Sequence, residues 1–209
     1  HEGHLSLIDL AKKNSSKVIV SIFVNPLQFG KNEDFNKYPR TLKEDKIKLI
    51  EKKCDLLFCP KTEKEIFLNK NKIEIIKSGK LGEILCGLKR PGHFDGVLTL
   101  VHQLFSIIKP EVAVFGAKDY QQQFLIKKMS NEIFPNLKII IGPIIRDENG
   151  LALSSRNFYL SKKERKIAPF FFKSLKRVVE KFKDKNDLKS IQKKTKILLS
   201  KKGIEVEYL

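Results

Sequence analysis

Four short apolar runs, Lys17 to Phe23, Asp55 to Cys59, Glu111 to Phe115 and Lys138 to Ile141, alternate with helix-length segments, and this alternation limits the fold more than any other feature. Strands separated in this way are joined by crossovers rather than hairpins, which predicts an α/β chain with a parallel, doubly wound sheet. The helical pattern that opens near Gly3, with Leu5, Leu7, Ile8, Leu10 and Ala11 on one face, is expected to follow a first strand that is missing from this sequence. All four runs predict strands, those at Lys17 to Phe23 and Glu111 to Phe115 buried. A further strand is expected over Ile204 to Tyr208, where the chain stops. Thr41-x-x-Glu44, Thr62-x-x-Glu65 and Ser161-x-x-Glu164 each have the pattern of a capping box that opens a helix.

In such a sheet the loops at the carboxyl ends of the strands face the ligand, and the helix that follows presents unpaired N–H groups to an anion. Val114 to Gln122 reads as strand, turn at Gly116, and helix. Lys118 can meet a phosphate there and Asp119 a ribose hydroxyl, while the amides of Gln121 and Gln122 suit a group with both donors and acceptors. The ordinary alternative is a polar surface turn. His1-Glu2-Gly3-His4 places two imidazoles and a glycine at a helix start, a second anion site in pattern. Asn25 and Gln28 follow the Lys17 to Phe23 run, where a ligand loop belongs, although Asn-Pro is also a common turn starter. Ser154, Ser155 and Arg156 can wrap phosphate oxygens, or simply form a hydrophilic linker. Arg90 to Gly96 is rich in turn formers and predicts a loop carrying His93. The helix is then expected over Val97 to Ile108, with His102 packed or at its rim.

A net charge of +18 suggests nucleic acid, but the bases are mostly lysines dispersed among acids. Fourteen lysines and two arginines against six acids lie between Ser161 and Leu209, in helical patterns whose simplest reading is a solvated face. A specific RNA-binding module would gather arginines and exposed aromatics on one face. Instead, four of the six arginines (Arg40, Arg90, Arg146 and Arg156) fall in motif-bearing stretches, as oxyanion recognition by a planar fork would require. Cys54, Cys59 and Cys86 form no C-x-x-C pair, so they predict reduced thiols in a cytoplasmic protein. No apolar run reaches the ~20 residues that a membrane span needs.

Taken in order, H-E-G-H, F-V-N-P-L-Q-F, E-D-F-x-x-Y-P-R, R-P-G-H-F-D-G-V, F-G-A-K-D-Y-Q-Q and G-L-A-L-S-S-R-N closely resemble the pantoate–beta-alanine ligase family, within the H-x-G-H nucleotidylyl transferases. The likeness runs from His1 to about Tyr159. It implies a Rossmann-like domain over residues 1–144 and the start of a smaller, truncated α+β domain over 145–209 that covers ATP. It also implies ATP-dependent joining of pantoate and beta-alanine through pantoyl adenylate, with Mg2+ accompanying ATP, and a cytoplasmic homodimer. Carried over by motif, His1, Gly3 and His4 contact the phosphates, with His4 as proton donor. Gly116, Ala117, Lys118 and Asp119 form the ATP loop, Ile145 offers a backbone contact to adenine, and Leu153, Ser154, Ser155 and Arg156 clamp phosphate. Gln28 and Gln122 bind pantoate beside Asn25, and Gln28 also faces beta-alanine. Glu44 and Asp45 lie near acids tied to the metal in the family. Asn69 to Phe94 is the candidate for a flap that excludes water. Leu153 departs from the methionine frequent in relatives, a swap of similar volume. A different H-x-G-H adenylyl or cytidylyl transferase is the alternative, and the two glutamines with F-V-N-P-L-Q-F speak against it.

Overall fold

The structure, a computed structural model, describes residues 1–31, 33–67, 73–183 and 187–209. It contains two compact units, His1–Ile144 and Ile145–Leu209. In the first, helix α1 (Glu2–Lys12) precedes strand β1 (Ile19–Ser21), a 3-10 turn at Pro26–Gln28, α2 (Leu42–Glu51), β2 (Leu56–Phe58) and α3 (Glu63–Ile66). A second 3-10 turn at Lys80–Gly82 leads to α4 (Cys86–Lys89), α5 (His93–Ile108), β3 (Val112–Gly116), α6 (Tyr120–Ile133) and β4 (Lys138–Gly142). The second unit holds a 3-10 turn at Ser155–Tyr159, then α7 (Lys162–Ile167), α8 (Pro169–Lys183) and α9 (Leu188–Ser200).

The strands are parallel, as the crossovers require, but they form two pairs among the described residues. β1 lies beside β2 with Ile19 opposite Leu56, and β3 beside β4 with Val112 opposite Lys138 and Gly116 opposite Gly142. The expectation of buried strands at Lys17 to Phe23 and Glu111 to Phe115 is corrected, since the first is partly exposed and the second half-buried. Ile19 is 43% and Leu56 51% exposed, because the apolar cluster of Leu5, Ile8, Val18 and Leu49 covers only the face that carries Val20 and Leu57. The largest core lies between α5 and α6, where Phe94, Val97, Leu98, Val101 and Phe105 meet Leu125, Ile126 and Met129.

Other local expectations divide. At Ser161 the capping box forms, with Ser161 Oγ accepting from the Glu164 N–H and Glu164 accepting from the Ser161 N–H. It does not form at Thr41 or Thr62. Thr41 Oγ1 donates to Asp45 instead, and Glu65 accepts from the Lys61 N–H. Ile204 to Tyr208 is not a strand, and the α+β character expected of residues 145–209 reduces, among the described residues, to one antiparallel bridge between Arg146 and Ala152. That bridge closes over Asp147, whose Oδ1 accepts from the N–H groups of Asn149 and Leu151.

Candidate active site

Three segments of the first unit converge. Helix α1 begins at the H-x-G-H pattern, with His1 as its N-cap and the His1 and His4 rings stacked 3.9 Å apart. His1 Nδ1 is buried with no hydrogen-bond partner among the described residues, an unsatisfied polar atom of the kind that calls for an explanation. Desolvation by the atoms packed around it lowers the His4 pKa below the ordinary 6.5, although part of the ring stays exposed; Lys118 pushes the same way and Asp119 opposes it. His4 is therefore within electrostatic reach of both charges of the β3–α6 turn. Lys118 Nζ in turn lies 3.1 Å from Asp119 Oδ1. This ion pair is exposed, so it contributes little to stability and leaves both groups open to a charged ligand. Gly116 closes β3, and a Cβ there would meet nothing nearer than Leu7 Cδ1 at 3.9 Å. The protein's own packing thus does not demand glycine at this position.

The second segment is the turn after β1. Asn25 is 1% exposed and caps the 3-10 turn by accepting from the Leu27 N–H, while its Nδ2 donates to Gly96 O at 3.0 Å and to Gln28 Oε1 at 3.3 Å. Its role is to lock the turn onto α5 and to orient the Gln28 amide, whose Nε2 has no partner among the described residues. Helix α5 comes this close because residue 96 is glycine: an added Cβ would lie 2.1 Å from Leu27 O.

The third segment corrects the expected loop. His93 to Gly96 form the first turn of α5, and His93 is buried at 8% exposure. Turn-forming residues obscured this in the sequence, since Gly96 serves close packing and Asp95 accepts bonds from Ser78 N–H and Ser78 Oγ. His93 Nδ1 faces Gln28 O at 2.7 Å and so carries the proton; Nε2 then accepts from Arg90 at 3.0 Å. Burial is the main cause that holds the His93 pKa down, the Gln28 carbonyl opposing it. Arg90 also grips Glu33 with both arms of its fork, and this hydrogen bonding keeps the Glu33 carboxyl below its usual range.

Adjacent glutamines on α6 have separate tasks, because neighbouring helix positions point about 100° apart. Gln121 Nε2 donates to Leu81 O and Ile84 O, and its Oε1 accepts from the Cys86 N–H. These bonds bracket Leu85, held at φ 51°, an uncommon conformation that such anchoring maintains. Gln122 is half-buried and makes no such bonds. The proposed flap is anchored over residues 76–86 by Gln121, by Asp95 and by Thr99, which accepts from the Ile76 N–H; residues 69–72 of that stretch lie outside the described residues.

In the second unit, Ser154 Oγ accepts from the Arg156 N–H and starts the 3-10 turn, Ser155 is half-buried, and Arg156 is exposed. The Ile145 carbonyl accepts from the Leu153 N–H at 2.9 Å. The expectation that four arginines serve oxyanions is corrected for Arg40 and Arg146, which meet loop carbonyls, while Arg90 meets an oxyanion of the protein itself, the Glu33 carboxylate. Arg40 bonds Phe35 O and Tyr38 O, Arg90 bonds Glu33, and Arg146 donates to Gly150 O while stacking 3.4 Å over Phe172. A fork with five donors satisfies loop carbonyls as readily as phosphates. Asp45 and Glu44 do not fit a resident metal: Asp45 is tied to Thr41, and the described residues include no group of three or more His, Cys, Asp or Glu able to hold an ion. No helix of the described residues is long and apolar enough to cross a membrane.

The family model for pantoate-beta-alanine ligase matches residues 1–209. Pantothenate synthetase of Acinetobacter baumannii is 44% identical over 209 residues, and that of a Thermoanaerobacter species 48% identical over 212; each match takes in all of this chain and 74% of the relative. Among solved structures, pantothenate synthetase from Thermus thermophilus superimposes with a TM-score of 0.89 at 38% identity, over 96% of this chain and 72% of that one. A pantoate-beta-alanine ligase from Francisella tularensis, complexed with beta-gamma ATP and beta-alanine, gives 0.82 at 39% identity, over 100% and 76%. With this identity extending along its whole length and through the segments that converge at the site, the chain belongs to the pantoate-beta-alanine ligase family.

Proposed function

We propose that the chain joins pantoate to beta-alanine at the expense of ATP, by way of a pantoyl adenylate, at the site that His4, Lys118 and Gln28 define. The observation that carries this reading is that His4 lies in the field of Lys118 and Asp119, and that Asp119 also reaches His93, the ring that holds the Gln28 carbonyl. A pantoate carboxylate oxygen attacks the α-phosphorus of ATP, and the bond to pyrophosphate breaks. The amine of beta-alanine then attacks the acyl carbon, loses a proton, and AMP departs with the acyl oxygen.

Negative charge grows on the α-phosphate and on the departing pyrophosphate, so fixed donors and positive charge are the main requirement. Lys118 supplies a cation there. His4 and His1 donate to phosphate oxygens, with Gly3 and the N–H groups of α1 beside them. Gly116 and Ala117 let the nucleotide approach the backbone, Asp119 accepts from the ribose, and Ile145 meets adenine through its backbone. Leu153, Ser154, Ser155 and Arg156 close on the phosphates. Gln28 and Gln122 hold pantoate with Asn25 behind them, and Gln28 also faces beta-alanine. ATP enters as its magnesium salt, with the ion carried by the phosphates. Asp45 is placed by motif alone near the family's metal-linked acids, and no step depends on it. The sheet is of the doubly wound, Rossmann-like kind, residues 145–209 begin the part that covers ATP, and the protein is a cytoplasmic homodimer. Its dispersed lysines give no specific nucleic-acid site. Release of AMP by the full-length protein should require pantoate and beta-alanine together; release with other acids in place of pantoate would assign the pocket to another acceptor.

A further inference from the structure

We propose that Arg90, Glu33 and His93 form a positioning device that fixes the main chain at Gln28 and thereby sets affinity for the acid substrate. This inference rests on the assignment of Gln28 to the pantoate pocket.

The Gln28 carbonyl is held from the start of α5 by His93 Nδ1 at 2.7 Å, with Arg90 contributing a longer contact at 3.5 Å. In the neutral ring that donates from Nδ1, Nε2 is an acceptor, and Arg90, which can only donate, fills it at 3.0 Å. Arg90 is in turn fixed by Glu33, which lies on the same chain segment as Gln28, five residues further on. The chain therefore closes a loop on itself: Gln28 to His93, His93 to Arg90, Arg90 to Glu33, and back along the backbone. Each link is a hydrogen bond to a half-buried or buried group, and two of them are charge-assisted, so the arrangement resists small displacements. A side chain that must meet a substrate to within about 0.5 Å needs support of this kind. None of the three residues has a donor left over that the described geometry directs at the Gln28 side chain, so they act on the substrate through the backbone that carries it.

The device differs from an ordinary structural tether in what it controls. His4 and Lys118 stand on other elements, α1 and the β3–α6 turn, and the nucleotide contacts assigned to them do not pass through Gln28. Loosening the device should therefore separate the two substrates kinetically. In the full-length protein, Glu33→Gln and Arg90→Lys are expected to raise the KM for pantoate about tenfold or more, with the KM for ATP within about twofold of wild type. His93→Asn provides a milder variant, because the asparagine amide can still donate to Gln28 O while it loses the link to Arg90; a smaller rise in the same KM is expected. Melting temperatures measured alongside identify any variant that fails to fold, and the reading then comes from the remaining variants. Parallel rises in both KM values, or an unchanged pantoate KM in folded variants, would overturn the proposal. If the wild-type protein itself shows no pantoate-dependent AMP release, the functional assignment falls and this inference with it, a result distinct from normal wild-type turnover with unaffected variants.

Discussion

Replacing Lys118 with alanine is expected to slow adenylate formation about 10²–10³-fold while leaving the melting temperature near that of wild type. The asymmetry follows from the position of the side chain. Lys118 is 40% exposed and its ion pair among the described residues joins the neighbouring Asp119, so the folded state gains little from it. Its ammonium nevertheless stands at the turn between β3 and α6, where the proposed reaction develops phosphate charge. Loss of one preorganised donor at such a place typically raises the barrier by about 2.7–4 kcal/mol. His4→Ala should behave in the same direction, since the ring is held against His1 and within the field of Lys118 and Asp119. Single-turnover measurements of pantoate consumption, with ATP saturating, check both variants; turnover at the wild-type rate would remove these residues from the machinery.

Gly96→Ala is expected to have the largest effect on folding. Its new Cβ would lie 2.1 Å from Leu27 O, 2.4 Å from Leu27 C and 2.8 Å from Gln28 N, all backbone atoms that cannot turn aside. Overpacking of this type costs about 3 kcal/mol or more where the neighbours are rigid. The bond from Asn25 Nδ2 to Gly96 O would be strained as well, and an unsatisfied buried amide adds about 1–3 kcal/mol. Denaturant unfolding should show a lower midpoint, and the surviving folded protein should bind pantoate weakly because Gln28 has moved. Gly116→Ala makes the contrast: with Leu7 Cδ1 3.9 Å away, the fold has room for the methyl group. Unchanged stability in Gly96→Ala would mean that α5 and the turn at Pro26–Gln28 separate more easily than their packing indicates.

Much of the candidate site's local structure was legible because it is built from local patterns. A strand, a glycine and a helix in succession place Lys118 and Asp119 wherever they occur, and the H-x-G-H pattern marks a helix start by itself. Less legible was anything decided by a distant partner. The sequence shows four arginines in motif-rich loops, but whether each fork meets a phosphate or a loop carbonyl depends on segments as remote as Glu33 and Arg90, 57 residues apart. The two glutamines of α6 look equivalent in one dimension, yet Gln121 is used up by residues 81–86. Gly92 and Gly96 suggested a loop, whereas only Gly92 turns the chain, at φ 79°, and Gly96 admits a neighbouring backbone to the side of a helix. Capping boxes were overread for a related reason: Thr41 found a carboxylate one residue beyond the position the pattern names, and the sequence spacing cannot distinguish these bonds.

The reaction's first half can be isolated. Incubating the full-length protein with ATP, labelled pyrophosphate and pantoate, but no beta-alanine, asks whether the site forms an acyl adenylate reversibly. The account predicts that label enters ATP only when pantoate is present, and that Lys118→Ala suppresses the exchange. Label entering ATP without pantoate, or none entering while AMP is still released with both substrates, would contradict a pantoyl adenylate made at this site.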